Sequence, residues 1–399
     1  MKLSLKDLDV KNKKVLMRVD FNIPLTKEGG IADDTRIRES LPSIQYVINH
    51  GGALILMSHL GRPKGKKSPE FSLAPCAKRL SELLKMPVQF APDCIGPGVE
   101  KMVSHLQPKQ VLLLENLRFY AAEEEPEKDP SFAKKLASLG DIYVNDAFGT
   151  AHRAHASTAV IAQYFPHKAA SGFLLEKEIN FLGSAVSHPK HPFYAIIGGA
   201  KISTKMGVLE SLLSKVDGLF IGGGMAYTFF KAQGISIGDS IHEDALLEKA
   251  KEFMEKCRKE KVSLWLPQDL VIAKEFKEDA ESKVIPTKSG IPSGWQGMDI
   301  GPATVKIWIE AFKNGQTVFW NGPLGVFEFP AFAKGTQEVA KALAQLKATT
   351  IVGGGDSVAA INNLGIANKF SHVSTGGGAS LEYIEFGHLP GIDALSDKS

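Results

Sequence analysis

Residues 349–358 read T-T-I-V-G-G-G-D-S-V, and these are residue types suited to phosphate chemistry. A β-branched run ends in Gly353, Gly354 and Gly355, then Asp356 and Ser357 precede a helix-like segment. That order predicts a strand, a tight turn and a helix start. Glycines let backbone N–H groups approach an anion with no Cβ in the way, and a helix start adds donors and the positive end of a dipole. A carboxylate at position 356 is an odd choice for a bare anion cradle. It suits a hard cation that travels with phosphate, namely Mg²⁺. Asp356 could equally be a plain helix cap, and this stretch alone leaves the two readings level. Recurrence tips the balance. The same shape returns at 193–201 (F-Y-A-I-I-G-G-A-K), 219–226 (L-F-I-G-G-G-M-A) and 318–325 (V-F-W-N-G-P-L-G), and more weakly at 373–380 (V-S-T-G-G-G-A-S). In a parallel α/β sheet such turns share one edge, at the carboxyl ends of the strands, where ligands bind. Glycine as an ordinary short-loop residue explains one or two such turns better than four.

The first half of the chain carries a different set of groups. Residues 1–170 hold 24 Lys+Arg against 19 Asp+Glu, and the remainder 23 against 25. Of eight arginines, only Arg258 lies beyond residue 170. Arginine grips carboxylate and phosphate in a planar, bidentate way, so this half reads as the home of a small, strongly anionic ligand. A buried strand over 14–21 ends in Asp20, Phe21 and Asn22, with Arg18 inside it. Arg36 follows, just before a helix expected over 41–50. A strand over 53–57 runs into Ser58, His59, Leu60, Gly61, Arg62 and Pro63. A strand over 111–114 leads to Arg118, and a short one over 142–144 leads towards Arg153. For any single arginine a surface salt bridge is the ordinary explanation. Four in loops at strand ends converge only if they share a ligand. His59, His152 and His155 lack the clustering of a metal site and read as ligand-binding or core histidines. The basic loop 64–67 and the acidic run 123–127 read as solvated surface.

The totals fit this picture. A chain of 399 residues with 44% hydrophobic and 23% charged content is a globular protein with room for two domains. Cys76, Cys94 and Cys257 have no paired or metal-like spacing and read as reduced thiols. The first residues are too polar for a secretory signal, and no apolar run reaches bilayer length; the expectation is a cytoplasmic protein without a membrane partner. Basic residues are scattered, and no zinc-finger or RNP-type pattern occurs, which argues against nucleic acid. A helix over 171–188, spanning roughly 25 Å, is expected to bridge the domains, with a break at 189–192. Lys201 and Lys205 at i, i+4 are expected to share a helix face. The loop is not a Walker A motif. Residues 295–299 (W-Q-G-M-D) read as a glycine-rich loop.

Taken together, R-V-D-F-N at 18–22, S-H-L-G-R-P at 58–63, E-N-L-R-F at 115–119 and G-T-A-H-R-A-H at 149–155 resemble phosphoglycerate kinase. So do G-G-A-K at 198–201, G-G-G-M-A at 222–226, W-N-G-P-L-G-V-F-E at 320–328 and G-G-G-D-S at 353–357. They occur in the family's order across nearly the whole chain. The resemblance implies two doubly wound, parallel-sheet, Rossmann-like α/β domains joined by a helix and hinge. The first (1–170, with the tail 388–399 returning to it) would hold 3-phosphoglycerate or 1,3-bisphosphoglycerate. Residues 171–188 would form the connecting helix, and 189–387 would hold Mg-ATP or Mg-ADP. Carried over by motif, Asp20, Phe21, Asn22, Arg36, His59, Leu60, Gly61, Arg62, Arg118 and Arg153 hold the glycerate. Lys201, Lys205, Gly223, Gly224, Gly297, Asn321, Pro323, Glu328, Gly353, Gly354, Gly355, Asp356 and Ser357 hold the nucleotide, and Asp356 meets Mg²⁺. Ser357 stands where many members have threonine and keeps the hydroxyl. Arg36, Lys201 and Lys205 are the expected catalytic groups, and a monomer is the expected state.

The chemistry agrees with this reading. Phosphoryl transfer asks for alignment and charge stabilisation rather than covalent work, and an attacking carboxylate is already ionised, so no general base is needed. A Rossmann dehydrogenase would show G-x-G-x-x-G with an acid about 20 residues on, and no clean copy exists. A non-catalytic, two-domain anion-binding protein would have no use for Asp356 paired with Lys201.

Overall fold

The computed structural model describes residues 1–398, and of residues 184–187 only the helical backbone. Ser399, at the end of the expected tail, and the side chains of 184–187, inside the expected connecting helix, lie outside the described residues. The chain divides into two compact units, Met1–Asn180 with His388–Ser399, and Phe181–Gly387.

The first unit is built on six parallel strands: β1 (Lys14–Val19), β2 (Ala53–Met57), β3 (Val88–Phe90), β4 (Val111–Leu113), β5 (Ile142–Asp146) and β6 (Ala169–Ser171). Their spatial order is β3-β4-β2-β1-β5-β6. Between them run α1 (Thr35–Asn49), α2 (Ala74–Leu84), α3 (Pro97–His105) and α4 (Ser131–Ala137), and α5 (Phe173–Ser187) follows the last strand. All five residues of β2 and all but the first of β1 are buried, as the continuous apolar runs of a sheet covered on both faces require. Parallel pairing of Arg18 with Met57, and of Leu56 with Leu113, brings the ends of β1, β2 and β4 into line. The loops carrying Asp20, His59 and Arg118 therefore emerge together.

Two expectations change here. The helix expected over 41–50 starts at Thr35, so Arg36 lies in its first turn. Buried Ile37, Ser40, Ile44 and Val47 keep helical spacing through Pro42, which is exposed. Burial of that stripe outweighs the local cost of the proline. Glu123, expected at the surface, is fully buried. Its Oε1 accepts the Ser157 hydroxyl at 2.6 Å and its Oε2 accepts the Ser157 N–H at 3.1 Å. Glu125 and Glu127 remain exposed.

The start of α5 is fastened by buried side chains. Asp146 Oδ1, at the end of β5, accepts the N–H groups of Leu174 and Leu175 at 2.9 and 3.2 Å, and Ser43 Oγ accepts that of Phe173 at 2.8 Å. A Cβ at Gly172 would lie 2.3 Å from the same carboxylate oxygen. Burial pushes the Asp146 carboxyl up to about 6. A carboxyl raised in the folded state adds stability that is present below its ordinary value and is lost as pH climbs through the raised one. Wild type should therefore lose melting temperature relative to Asp146→Asn between about pH 4 and about pH 6, with a level difference above. Paired thermal melts across that range check this; a difference that does not vary with pH would contradict it.

The second unit repeats the plan. Parallel strands β7 (Phe193–Ile197), β8 (Gly218–Ile221) and β9 (Ser263–Trp265) come first. Then β10 (Asp269–Ala273), β11 (Ser282–Pro286) and β12 (Gln296–Ile300) form a separate antiparallel sheet, in the order β11-β10-β12. Last, β13 (Thr317–Asn321), β14 (Thr349–Gly353) and β15 (His372–Val373) complete the main sheet, in the order β15-β14-β13-β7-β8-β9. The helices are α6 (Met206–Leu212), α7 (Met225–Ala232), α8 (Leu247–Lys259), α9 (Pro302–Phe312), α10 (Lys334–Leu343), α11 (Gly355–Asn363) and α12 (Gly378–Phe386). A core centred on Trp308, Trp320, Phe220 and Phe312 lies against this sheet. The stretch 295–299, read as a loop, is mostly strand: residues 296–299 lie in β12, and Gln296 and Gly297 pair with Ala273 and Ile272 of β10.

Candidate active site

In the first unit the strand-end loops hold one another through the predicted residues. Arg36 Nη1 donates to Asp20 Oδ2 and to the Asn22 carbonyl, each at 3.0 Å. Asn22 Oδ1 accepts the Gly61 N–H at 2.9 Å, and Arg118 Nη1 donates to the Gly61 carbonyl at 2.9 Å. The Leu60 carbonyl accepts from Asn116 Nδ2 at 2.7 Å, and the Phe21 N–H donates to Ser58 Oγ at 2.8 Å. Arg18, fully buried in β1, lies 3.0 Å from His59 Nδ1 through Nη2 and donates to Ser157 Oγ through Nε at 2.8 Å. Arg62 and Arg153 are exposed, and Arg153 Nε lies 3.2 Å from His152 Nε2.

These cations are close enough to act on each other. Burial holds His59 well below its usual range, and Arg18, Arg118 and Arg36 push it further in the same direction. Burial also lowers His155 to about 3, reinforced by Arg18, Arg118 and Arg153. Arg118 is lowered mainly by burial, against the pull of Glu124. Its Nε is buried and has no partner. Guanidinium groups gathered around an unpartnered buried donor are chemically suited to an anion. Arg18 and His155, which the motif carry-over did not include, belong to it.

In the second unit, a cavity of about 360 Å³ opens where four glycine turns meet. Gly223, Gly224, Gly297, Pro323, Glu328 and Asp356, all carried over by motif, are on its wall. Val326, inside a quoted motif, and Tyr227, Ile241 and Phe276, outside the motifs, supply apolar surface. The available signal was Phe276, an aromatic residue in the polar run K-E-F-K-E-D, which is 62% exposed. Two of the turns need glycine. Gly223 has φ +70° and a Cβ there would lie 2.7 Å from the Gly199 carbonyl; Gly354 has φ +89° and its Cβ would lie 2.9 Å from Asn321 Nδ2. Larger surface hollows elsewhere, of about 650 and 850 Å³, lack such a convergence of turns.

Lys205, Gly353 and Gly354 sit around Asn321, at the end of β13. Lys205 Nζ donates to its Oδ1 at 2.7 Å. Gly353 is its partner on β14. Ser357 is fully buried, and its Oγ accepts the Gly322 N–H at 2.6 Å, so the hydroxyl ties two turns together. Gly355 and Asp356 open α11 and are exposed. Lys201 and Lys205 do not share a helix face: they flank a single 3₁₀ turn, Ile202–Thr204. Lys201 is extended and exposed, whereas Lys205 is half-buried. Burial lowers Lys205 below its ordinary range, and Asp356 opposes that shift.

Among the described residues, no group of three or more His, Cys, Asp or Glu is placed to hold a metal ion. A divalent cation here would need most of its oxygens from phosphate and water, the arrangement Mg²⁺ accepts with one or two carboxylates. Asp356, exposed at a helix start on a glycine-lined wall, fits that role.

Comparison with known proteins joins the two halves. A family model described as phosphoglycerate kinase matches residues 5–386. A cytosolic phosphoglycerate kinase of Nicotiana tabacum is 56% identical over 397 residues, covering 99% of this chain and 98% of the relative. A phosphoglycerate kinase of Moorella thermoacetica is 54% identical over 397 residues and the match covers both chains completely. Among solved structures, phosphoglycerate kinase from Coxiella burnetii aligns with a TM-score of 0.89 at 43% identity, covering 99% of each chain. No helix among the described residues is long and apolar enough to cross a membrane.

Proposed function

The chain belongs to the phosphoglycerate kinase family and moves a phosphoryl group reversibly between 1,3-bisphosphoglycerate and ADP, giving 3-phosphoglycerate and ATP in glycolysis; from that premise we propose which residues of each unit do the work. The observation that carries the assignment is the contrast between the two strand edges. One gathers arginines and neutral histidines around a buried unpaired donor. The other gathers glycine turns and one exposed helix-start carboxylate around a cavity of about 360 Å³.

The first edge takes the glycerate. Asp20 and Asn22 hold Arg36 and the Gly61 turn in place, and Arg62, Arg118 and Arg153 bind the carboxylate and distal phosphate, with His59 as a neutral hydrogen-bonding group. The second edge takes the nucleotide. Gly223, Gly224, Gly297, Pro323 and Glu328 line the space for the nucleoside, and the turn Gly353–Ser357 lies at the phosphate end. Asp356 would hold the magnesium ion that comes with the nucleotide; when bound, the ion neutralises charge on the β- and γ-phosphate oxygens.

An oxygen of the ADP β-phosphate attacks the phosphorus of the acyl phosphate. The bond from that phosphorus to the carboxyl oxygen breaks, and the carboxylate leaves with the electron pair. No proton has to move, which agrees with the absence of a required base in the reaction. Arg36 and Lys201 grip the equatorial oxygens of the group in flight, with Lys205 beside them. Ligands carried by different units have to be brought together with water excluded, which asks for hinge closure about α5. The reading extends to a cytoplasmic location, in keeping with a relative named as cytosolic, and to a monomer.

The test is ATP consumption with 3-phosphoglycerate and Mg²⁺, followed through a coupled NADH assay. Turnover that depends on all three components is expected. A folded wild type with no such turnover would overturn the assignment.

A further inference from the structure

Arg36 leaves α1 from its first turn, and that turn has little support from its own helix. Pro42 has no N–H to give to the Arg38 carbonyl four residues back, so the hydrogen-bond ladder is interrupted just after the turn. Of residues 35–38 only Ile37 is buried, and one apolar contact leaves rotation about it unset. The missing support comes from α2. Asp34, at the cap position of α1, makes no side-chain cap bond. Asp33 serves the helix start instead, accepting the Thr35 N–H at 2.8 Å and the Thr35 hydroxyl at 2.6 Å. The Asp34 carboxylate is left to cross-link. Its Oδ1 accepts Arg38 Nε at 2.8 Å; its Oδ2 accepts Arg79 Nε at 2.9 Å and lies 2.8 Å from Arg79 Nη2. Arg38, and after it Arg79, holds this carboxyl below its ordinary range.

We propose that Arg79 is a positioning residue for the transfer step: through Asp34 it ties the first turn of α1 to α2, and so sets where Arg36 presents its guanidinium. The proposal rests on the reading of Arg36 as a group that grips the phosphoryl group in flight. Arg79 acts only through others, since each of its three nitrogens has a protein partner; Nη1 donates to Glu82 at 2.7 Å. It stands on a helix that is itself fixed. Cys76, Ala77 and Leu80 of α2 are buried. Glu115, just beyond β4, accepts the Leu73 N–H at 2.9 Å and the Ser72 hydroxyl at 2.8 Å where α2 begins. The contacts at the tip of Arg36 do not make the clamp redundant. Both use Nη1, and a guanidinium held by one nitrogen can swing about it unless its backbone is also fixed. Arginine suits the task at 79, because two of its nitrogens close on one carboxylate oxygen where an ammonium would offer a single point.

The experiment measures steady-state kinetics, with 3-phosphoglycerate and Mg-ATP both varied, on wild type, Arg79→Met, Arg79→Lys and Glu82→Gln, and on Arg79→Met in the Arg36→Ala background. Arg79→Met should lower kcat about 3- to 6-fold, the size of a partly exposed ion pair, with both KM values within about 1.5-fold. Arg79→Lys should recover only part of the loss. Glu82→Gln removes the third contact alone and should leave kcat within about 1.5-fold. In the Arg36→Ala background, Arg79→Met should have almost no additional effect on kcat, because the two residues act in series. A merely structural pair would lower the melting temperature and leave kcat unchanged well below it; that result would overturn the proposal. So would a fall in kcat of the same size in the Arg36→Ala background, or a loss that appears as a raised KM. Should Arg79→Met fail to fold, as judged by thermal melts, Arg79→Gln makes the same comparison in both backgrounds. A folded wild type without turnover would instead refute the assignment of the reaction.

Discussion

Replacing Arg36 by alanine should lower kcat by about 10³-fold or more while both KM values stay within a few-fold, the signature of a group that acts on the transition state. The structure gives this residue a setting unlike that of Arg62, Arg118 and Arg153. It is held in the first turn of α1 rather than in a loop, and a buried strip of that helix fixes the turn against the core. Its two contacts, to Asp20 Oδ2 and to the Asn22 carbonyl, both use Nη1. One face of the guanidinium is thus anchored by a carboxylate whose own side chain is only 9% exposed, and Nη2 and Nε remain for the ligand. A planar, pre-oriented cation is what the three spreading oxygens of a transferring phosphoryl group call for. Arg36→Lys should recover little, because an ammonium cannot keep the Asp20 contact and present a second donor in plane. Steady-state kinetics on the two variants, with both substrates varied, checks this. A rise in the KM for 3-phosphoglycerate at unchanged kcat would make Arg36 a binding residue instead.

How much of this was open to a reader of the sequence depends on where the information lies. The strands of the two main sheets are short apolar runs that end in glycine or in an arginine loop, so β2 at 53–57 and the turn after β14 could be read residue by residue. Burial on both faces makes such strands locally unambiguous. The antiparallel sheet was not legible in the same way. β12 contains Gly297 and Asp299, and its pairing partner β10 lies more than twenty residues away with a register shift at Val271/Ile272. Gly297 is there because a Cβ would lie 2.1 Å from the Tyr227 ring, a contact with another element that no local pattern reports. Glu123 was misread for a related reason. It sits in a run of exposed acids, but Ser157 and the cations of β1 and the Arg118 loop hold it inside. The two lysines were misread because i, i+4 spacing means a shared face only in an α-helix, and the turn after Gly199 is 3₁₀. Site residues set by strand ends were therefore visible, whereas the apolar wall formed by Ile241 and Phe276 depends on tertiary packing.

Asp356→Ala should abolish most of the magnesium-dependent activity, by about 10²-fold or more, and the more direct evidence would be in binding. Asp356 is exposed at the first turn of α11. As a lone carboxylate beside phosphate it is unfavourable by simple repulsion, and it becomes favourable only when a cation sits between the two. Two consequences of opposite sign follow. Titration calorimetry should show wild type binding ADP more tightly with Mg²⁺ than without it, and Asp356→Ala should lose that difference. Metal-free ADP should bind the variant at least as well as wild type, because the repulsion has gone. Asp356→Asn, which keeps an oxygen but not the charge, should fall between them in the presence of Mg²⁺. Lys205 gives an internal control. Asp356 counters the burial that disfavours its charge, so removing the carboxylate should shift the lysine further from its ordinary range, and kcat should fall at lower alkaline pH than in wild type. A variant that retains the full gain in ADP affinity from Mg²⁺ would place the metal ligand elsewhere on the cavity wall, with Glu328 as the next carboxylate to replace.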